Sequence, residues 1–261
     1  MGLLGAIIIG FFVLKGGNSK STTLLEFSYA LRRIWQKSVL VIDLDPQMTT
    51  TNFLTIQEVE TCGSICDVLT GSKKITNVIQ KGKYCDFISG SPMLADIDAY
   101  LSKIGKDRIF KENLDIIKPN YSTILVDFPP AASKVTISGL NALNKLIIPC
   151  QADPFSIDSL TATNELYLAV KQYYSPTISL AGILISRFKK TLLSEEIVKA
   201  IEEISANMGT FVYKSRIRDS VLIREAQLAK TSVLKYAGNS PVASDFLEFM
   251  DEFGERYGKE I

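Results

Sequence analysis

The sequence predicts an α/β fold: a doubly wound, mostly parallel sheet with helices on both faces, formed by residues 1–261 as a single domain. Two observations predict it. Short apolar runs bounded by turn residues recur along the chain, at Ile7 to Val13, Val39 to Ile42, Phe87 to Ile88, Ile124 to Val126, Leu146 to Ile148 and Ile178 to Ile185. Their apolar character is continuous, as expected of strands buried on both faces. Between them lie helical patterns, such as Leu24, Leu25, Phe27, Leu31 and Ile34, which repeat near i, i+3, i+4 and i+7. Alternating strands and helices build parallel sheets, whose ligands bind beyond the carboxyl ends of the strands. No repeat, low-complexity tract or Pro/Gly-rich linker divides the chain.

Composition narrows the chemistry. Lys plus Arg number 29 against 28 Asp plus Glu, so affinity for nucleic acid must come from a local patch rather than a global field. The absence of histidine removes Ser-His-Asp and Cys-His catalysis and His-containing zinc sites. Cys62, Cys66, Cys85 and Cys150 form no CxxC pair and are expected to be reduced thiols in a cytoplasmic protein. The apolar N-terminal run MGLLGAIIIGFFVL has no basic leader and runs straight into a Gly-Gly loop. It is expected to be a buried strand rather than a signal or membrane span. Ala6 stands where an N-myristoylation signal needs Ser or Thr.

The first apolar run delivers the loop Lys15-Gly16-Gly17-Asn18-Ser19-Lys20-Ser21-Thr22, which leads into the first helical pattern. Strand, Gly-rich loop and helix in that order make a phosphate cradle. Backbone N–H groups and the helix N-terminus face the anion, Lys20 neutralises charge, and the Ser21 hydroxyl can ligate Mg²⁺. The second run ends in Asp43-Leu44-Asp45-Pro46-Gln47. On a continued strand, Asp43 and Asp45 share one face, where two acids suit the Mg²⁺ shell and the orientation of an attacking water. The alternative for this pair is a strand end capped by Asx turns. The run Ile124 to Val126 ends in Asp127-Phe128-Pro129-Pro130, with Asp127 placed to hold Mg²⁺ through water.

The standard P-loop pattern fails at Ser19, but KGGxxK[ST], with a lysine directly before the glycine pair, fits. In this the chain resembles the ParA and MinD group of ATPases. Asp127-Phe128-Pro129-Pro130, Leu140-Asn141-Ala142-Leu143 and Ile147-Ile148-Pro149-Cys150-Gln151 resemble that group's later segments in the same order. The resemblance implies that ATP and Mg²⁺ are bound by Gly16 to Thr22, with Ser21, Asp45 and Asp127 serving the metal. It also implies that Asp45 supports hydrolysis and that Lys15 reaches the phosphates of a partner subunit in an ATP-bound homodimer. The clusters Arg187, Lys189 and Lys190, and Arg216, Arg218 and Arg224 with Lys214, resemble the regions that hold DNA backbone without reading bases; Asp219 stands where the family carries an arginine. A ParB-like centromere-binding adaptor and a nucleoid-associated location in the cytoplasm follow from the same resemblance.

Two other readings are weighed by residues. A MinD-like membrane protein needs a basic amphipathic C-terminal helix. The stripe Phe246, Phe249, Met250, Phe253 and Tyr257 is flanked mostly by acids, so it is expected to pack on the domain, without stable membrane association. The third reading is a degenerate nucleotide-binding regulator, motivated by Ser19 and opposed by the retention of Lys15, Lys20, Ser21, Asp45 and Asp127.

Overall fold

In the computed structural model, which describes residues 5–56, 62–103 and 108–261, eight strands pair into one sheet. They are β1 (Ile7–Phe11), β2 (Val39–Asp43), β3 (Ile79–Lys81), β4 (Asp86–Ile88), β5 (Thr123–Asp127), β6 (Lys145–Gln151), β7 (Ser179–Phe188) and β8 (Val212–Arg218). Their order is β3-β4-β2-β5-β1-β6-β7-β8, and only the β3–β4 edge pair is antiparallel. The predicted doubly wound, mostly parallel architecture is observed. The first four residues of the apolar N-terminal run lie outside the described residues.

Alternation along β1 divides the core. Ile8 and Phe12 face one side, with Leu40, Ile42, Ile124, Val126, Leu146 and Ile148 from neighbouring strands. That side is covered by α3 (Ile65–Thr70), α4 (Asp98–Leu101), α5 (Ile109–Ile117), α6 (Lys134–Asn141), α7 (Phe155–Tyr173) and α8 (Leu192–Asn207). Ile7, Ile9 and Phe11 face the other side, against α1 (Lys20–Arg33), α2 (Thr49–Leu54), α9 (Val221–Leu228), α10 (Val233–Tyr236) and α11 (Pro241–Tyr257). At Gly10 a Cβ would stand 2.4 Å from Leu143 Cδ1 and 2.8 Å from Phe128 Cε2, so only glycine lets these side chains close on β1.

Helix α11 is the acid-flanked stripe of the sequence. Phe246, Phe249, Met250 and Phe253 are all buried against β8 and α1. Phe249 meets Tyr213 edge-on at 4.9 Å, and Phe253 meets Phe27 at 4.9 Å. The apolar face is therefore spent inside the fold, as expected. Among the described residues no helix is long and apolar enough to cross a membrane.

Strand order reverses around β1, with β5 on one side and β6 on the other. This opens a crevice at the carboxyl end of β1, where the loop from Leu14 to Ser19 enters α1.

Candidate functional site

The loop after β1 is pinned at both ends. The Leu14 amide donates to Thr163 Oγ1 on α7 at 3.0 Å, and the Gln151 side-chain amide donates to the Gly17 carbonyl at 2.5 Å. Gly17 takes φ +77°, and no atom lies within 4 Å of where a Cβ would stand at Gly16 or Gly17, so the loop's backbone is open on that side. Ser19 occupies the helix N-cap at φ 59° and ψ 23°, without a side-chain capping bond. For a residue with a Cβ that left-handed conformation costs about 1–2 kcal/mol. Met48, at the N-cap of α2, does the same at φ 57°.

A cleft of about 410 Å³ runs along this loop, lined by Gly16, Gly17, Asn18, Ser19, Lys20, Ser21 and Thr22. Asp45, Gln47 and Thr49 form the β2 side, and Arg187, Asp219, Ser220, Ile223, Arg224 and Gln227 the far wall. Lys20 is buried and its Nζ donates to the Lys15 carbonyl at 3.1 Å. Burial lowers its pKa, while the negative charges of Asp127 and Asp45 oppose that shift. Asp127 is fully buried, and its Oδ2 accepts from Thr50 Oγ1 at 2.7 Å. Burial holds its pKa above the ordinary carboxylate range against the hydroxyls of Ser21 and Thr50.

The two acids of the second run separate. β2 ends at Asp43, so Asp45 lies in the turn beyond it and strand alternation no longer relates them. Asp45 stands on the cleft wall, its Oδ1 accepting from the Gln47 amide at 2.8 Å. Asp43 turns inward. It accepts from the Asp45 amide at 3.0 Å, the Thr51 amide at 2.9 Å and Thr51 Oγ1 at 2.7 Å. Expected to share one face with Asp45, Asp43 instead braces the turn and the start of α2. Register places it directly beside Asp127, and burial together with that neighbouring carboxylate raises its pKa.

Lys15 does not line the cleft beside it. Its Nζ donates to both carboxylate oxygens of Asp153 at 2.8 Å and to Ser156 Oγ at 3.4 Å, over the ring of the exposed Phe155 at 5.8 Å.

The predicted DNA-binding residues do not form one free patch. Arg187 and Arg224 lie on the cleft's far wall, and with Lys189 they surround Asp219 at 3.5 to 3.6 Å. Arg216 donates to Glu195 at 2.8 Å, and Arg218 forks onto Asp245 with two bonds of 2.7 Å. Among these six residues only Lys190 has no carboxylate partner within the described structure. Sequence reasoning did not single out Gln227, whose amide donates to Thr22 Oγ1 at 2.7 Å and docks α9 on the loop. It also passed over Thr50, Thr51 and Asp153. The run Thr49-Thr50-Thr51 after Asp-Pro-Gln was a legible signal for the first two, while nothing local marks Gln227.

Two buried groups test whether the site suits a magnesium nucleotide. Asp127 Oδ1 and both polar atoms of the Asn18 side chain have no hydrogen-bond partner, and buried polar groups are normally satisfied. An acceptor left over beside Ser21 fits the water shell of a cation, and the open glycine backbone fits phosphate oxygens.

A family model described as an AAA domain, AAA_31, matches residues 6–180. The chain belongs to this family. The sporulation initiation inhibitor protein Soj of Bacillus subtilis is 26% identical over 242 residues, covering 91% of this chain and 94% of Soj. The chromosome partitioning protein ParA of Caulobacter vibrioides is 26% identical over 228 residues, covering 85% and 84%. The structure of a Cyanothece McdA variant in complex with ATP shares the fold at a TM-score of 0.85 and 20% identity, over 96% of this chain and 97% of that one. The chain is a P-loop ATPase of the ParA/Soj type.

Proposed function

We propose that this protein binds and hydrolyses ATP with Mg²⁺, dimerises in the ATP state, and uses nonspecific DNA binding to partition a plasmid or chromosome through a ParB-like adaptor. On this reading it works in the cytoplasm, over the nucleoid, as one ATPase domain spanning residues 1–261. Lys20 and the loop amides from Gly16 to Thr22 would hold the phosphates, and Ser21, Asp127 and Asp45 would face the metal. The bound magnesium nucleotide would supply the phosphoryl group and neutralise charge on it. Asp45, whose carboxylate has one oxygen beyond its turn bond, orients water at the cleft wall.

One observation carries the proposal: of the two lysines framing the loop, Lys20 serves its own cleft and Lys15 is turned out of it, onto Asp153 beside an exposed Phe155. A second cation for the same phosphate chain would point inward; a residue meant for a second subunit's phosphates sits at the rim. Trans-acting cations contribute roughly 10³ to 10⁵ in rate in other phosphoryl-transfer systems. Lys15→Ala is therefore expected to bind ATP with near-normal affinity yet hydrolyse it at least about a hundredfold more slowly, measured by calorimetry and steady-state ATPase assay with DNA. Full activity in that variant would refute the trans role.

The strained Ser19 and the unsatisfied Asn18 favour one second reading, a nucleotide-binding regulator with little hydrolysis. Wild-type protein that binds ATP but shows no turnover above a protein-free blank, with or without DNA, would establish it.

A further inference from the structure

The charge available to a polyanion lies at the other end of α1. Helix α1 leaves the loop at Lys20 and ends at Arg32 and Arg33, about 20 Å away for 14 residues. There a cleft of about 470 Å³ is lined by Arg32, Arg33, Lys81 and Lys83, with Ser38, Asn120 and Tyr121. Lys83 Nζ donates to the Lys230 carbonyl at 2.7 Å, which joins the β3–β4 turn to the α9–α10 turn. The Lys83 pKa is lowered by burial and by the charges of Lys230 and Lys235, so those two lysines extend the same positive field. The acids beside it are engaged. Asp86 is held by Lys81 at 2.9 Å and by the Tyr121 hydroxyl at 2.9 Å, and Glu225, near Lys235, accepts from the Tyr236 hydroxyl at 3.4 Å. Within the described residues Arg32, Arg33, Lys83, Lys230 and Lys235 have no carboxylate partner.

The surface around β8 is the reverse. Its arginines are bonded to Glu195 and Asp245, the Lys214 and Ser215 amides to Glu252, and the α8 and α11 helices that flank it are rich in glutamate. A phosphate approaching there competes with those carboxylates for the arginines and meets their like charge.

We infer that nucleic-acid backbone is held by the strip formed by Arg32, Arg33, Lys83, Lys230 and Lys235, not by the arginines of β8. The inference rests on the DNA-binding reading proposed above. Double-stranded DNA is the occupant this chemistry fits: unpaired guanidinium and ammonium groups interspersed with hydroxyl and amide side chains make phosphate and sugar contacts. A protein partner would need apolar or aromatic anchors at the centre of its footprint. Because α1 separates the strip from the nucleotide cleft, the strip is complete within one subunit, and dimerisation in the ATP state adds a second copy to the same duplex.

The test is fluorescence anisotropy of unrelated labelled duplexes with the full chain, with and without Mg-ATP, from about 50 to 200 mM salt. Two variants are compared, Arg32→Gln/Arg33→Gln/Lys83→Gln and Arg216→Gln/Arg218→Gln, each checked for an intact melting transition and for ATP binding by calorimetry. Removing three phosphate contacts should flatten the log–log salt slope by about 3 and weaken binding at least about tenfold at low salt, while the β8 variant stays within about threefold of wild type. Binding lost in the β8 variant and kept in the strip variant would overturn the inference but leave DNA binding standing. Wild-type protein that binds ATP yet no duplex in any state would overturn both. Polyglutamate competing as well as DNA at equal charge would assign the strip to an acidic protein instead, and also overturn it.

Discussion

At the residue scale, Ser19 and Glu26 show how single side chains near the loop are held at a cost. Ser19 sits at φ 59° where glycine has no Cβ penalty. Ser19→Gly removes a Cβ penalty of about 1–2 kcal/mol that a phosphate-bound loop would otherwise carry. The Ser19 hydroxyl is also available to a phosphate oxygen, a bond contributing about 1.5–3 kcal/mol. The opposing terms are similar, so ATP affinity by calorimetry should change less than about tenfold in Ser19→Gly and vanish in Lys20→Ala. Glu26, buried on α1, accepts bonds from Ser232 Oγ at 2.5 Å and the Val233 amide at 2.8 Å, tying the loop helix to α10. Burial nonetheless raises its pKa to about 7, and the neighbouring Tyr84 is held neutral by burial too. A raised carboxylate pKa means that the folded state holds the proton more tightly than the unfolded chain. The stabilisation is complete below about pH 4.5 and is lost as pH rises through about 7, by up to about 3 kcal/mol. Thermal melts should therefore show the wild type losing stability between about pH 5 and 8 and Glu26→Gln losing less; parallel curves would place the titration elsewhere.

At the element scale, α11 and β8 depend on each other. The β8 sequence Val-Tyr-Lys-Ser-Arg-Ile-Arg alternates, burying Tyr213, Ser215 and Ile217 and turning Lys214, Arg216 and Arg218 outward. Tyr213 packs on Phe249, and Phe249 on Phe27 of α1 at 5.8 Å. One ring thus joins the edge strand, the last helix and the loop helix. Phe249→Ala should cost about 3–5 kcal/mol in urea unfolding, and because α1 loses its backing, ATP affinity should fall with it. A loss under about 1 kcal/mol would mean that α11 is not part of the cooperative core.

At the scale of the whole molecule, the hydrolytic role proposed for Asp45 would set how long an ATP state persists. It lines the same cleft as Lys20 and Ser21, which with Asp127 would still hold the magnesium nucleotide once the Asp45 carboxylate is removed. Asp45→Ala is expected to bind Mg-ATP and accumulate as a dimer, doubling the mass by light scattering with ATP but not with ADP. A variant that stayed monomeric while saturated with ATP would remove Asp45 from the hydrolytic step.

The sequence by itself determined the parallel sheet, the loop from Lys15 to Thr22 and the acid at Asp127, because each is encoded within a few neighbouring residues: a doubly buried strand is a continuous apolar run, and a phosphate loop is a contiguous motif. It also showed that the acid-flanked stripe of α11 would be buried, since apolar residues at helical spacing must find a core. What only the tertiary structure decided depends on partners distant along the chain. Asp43 and Asp45 part company because β2 stops between them and Thr51 captures the first. Arg187 and Arg224 enter the cleft beside the loop because β7, which carries Arg187, pairs in parallel with β8, which leads into α9 and Arg224. Arg218 is engaged by Asp245, 27 residues away, whereas Arg32 and Arg33, unremarkable in sequence, end a helix beside Lys81 and Lys83. A charge is legible in sequence, but whether it is neutralised is not, because that depends on which carboxylate the fold brings within a few ångströms.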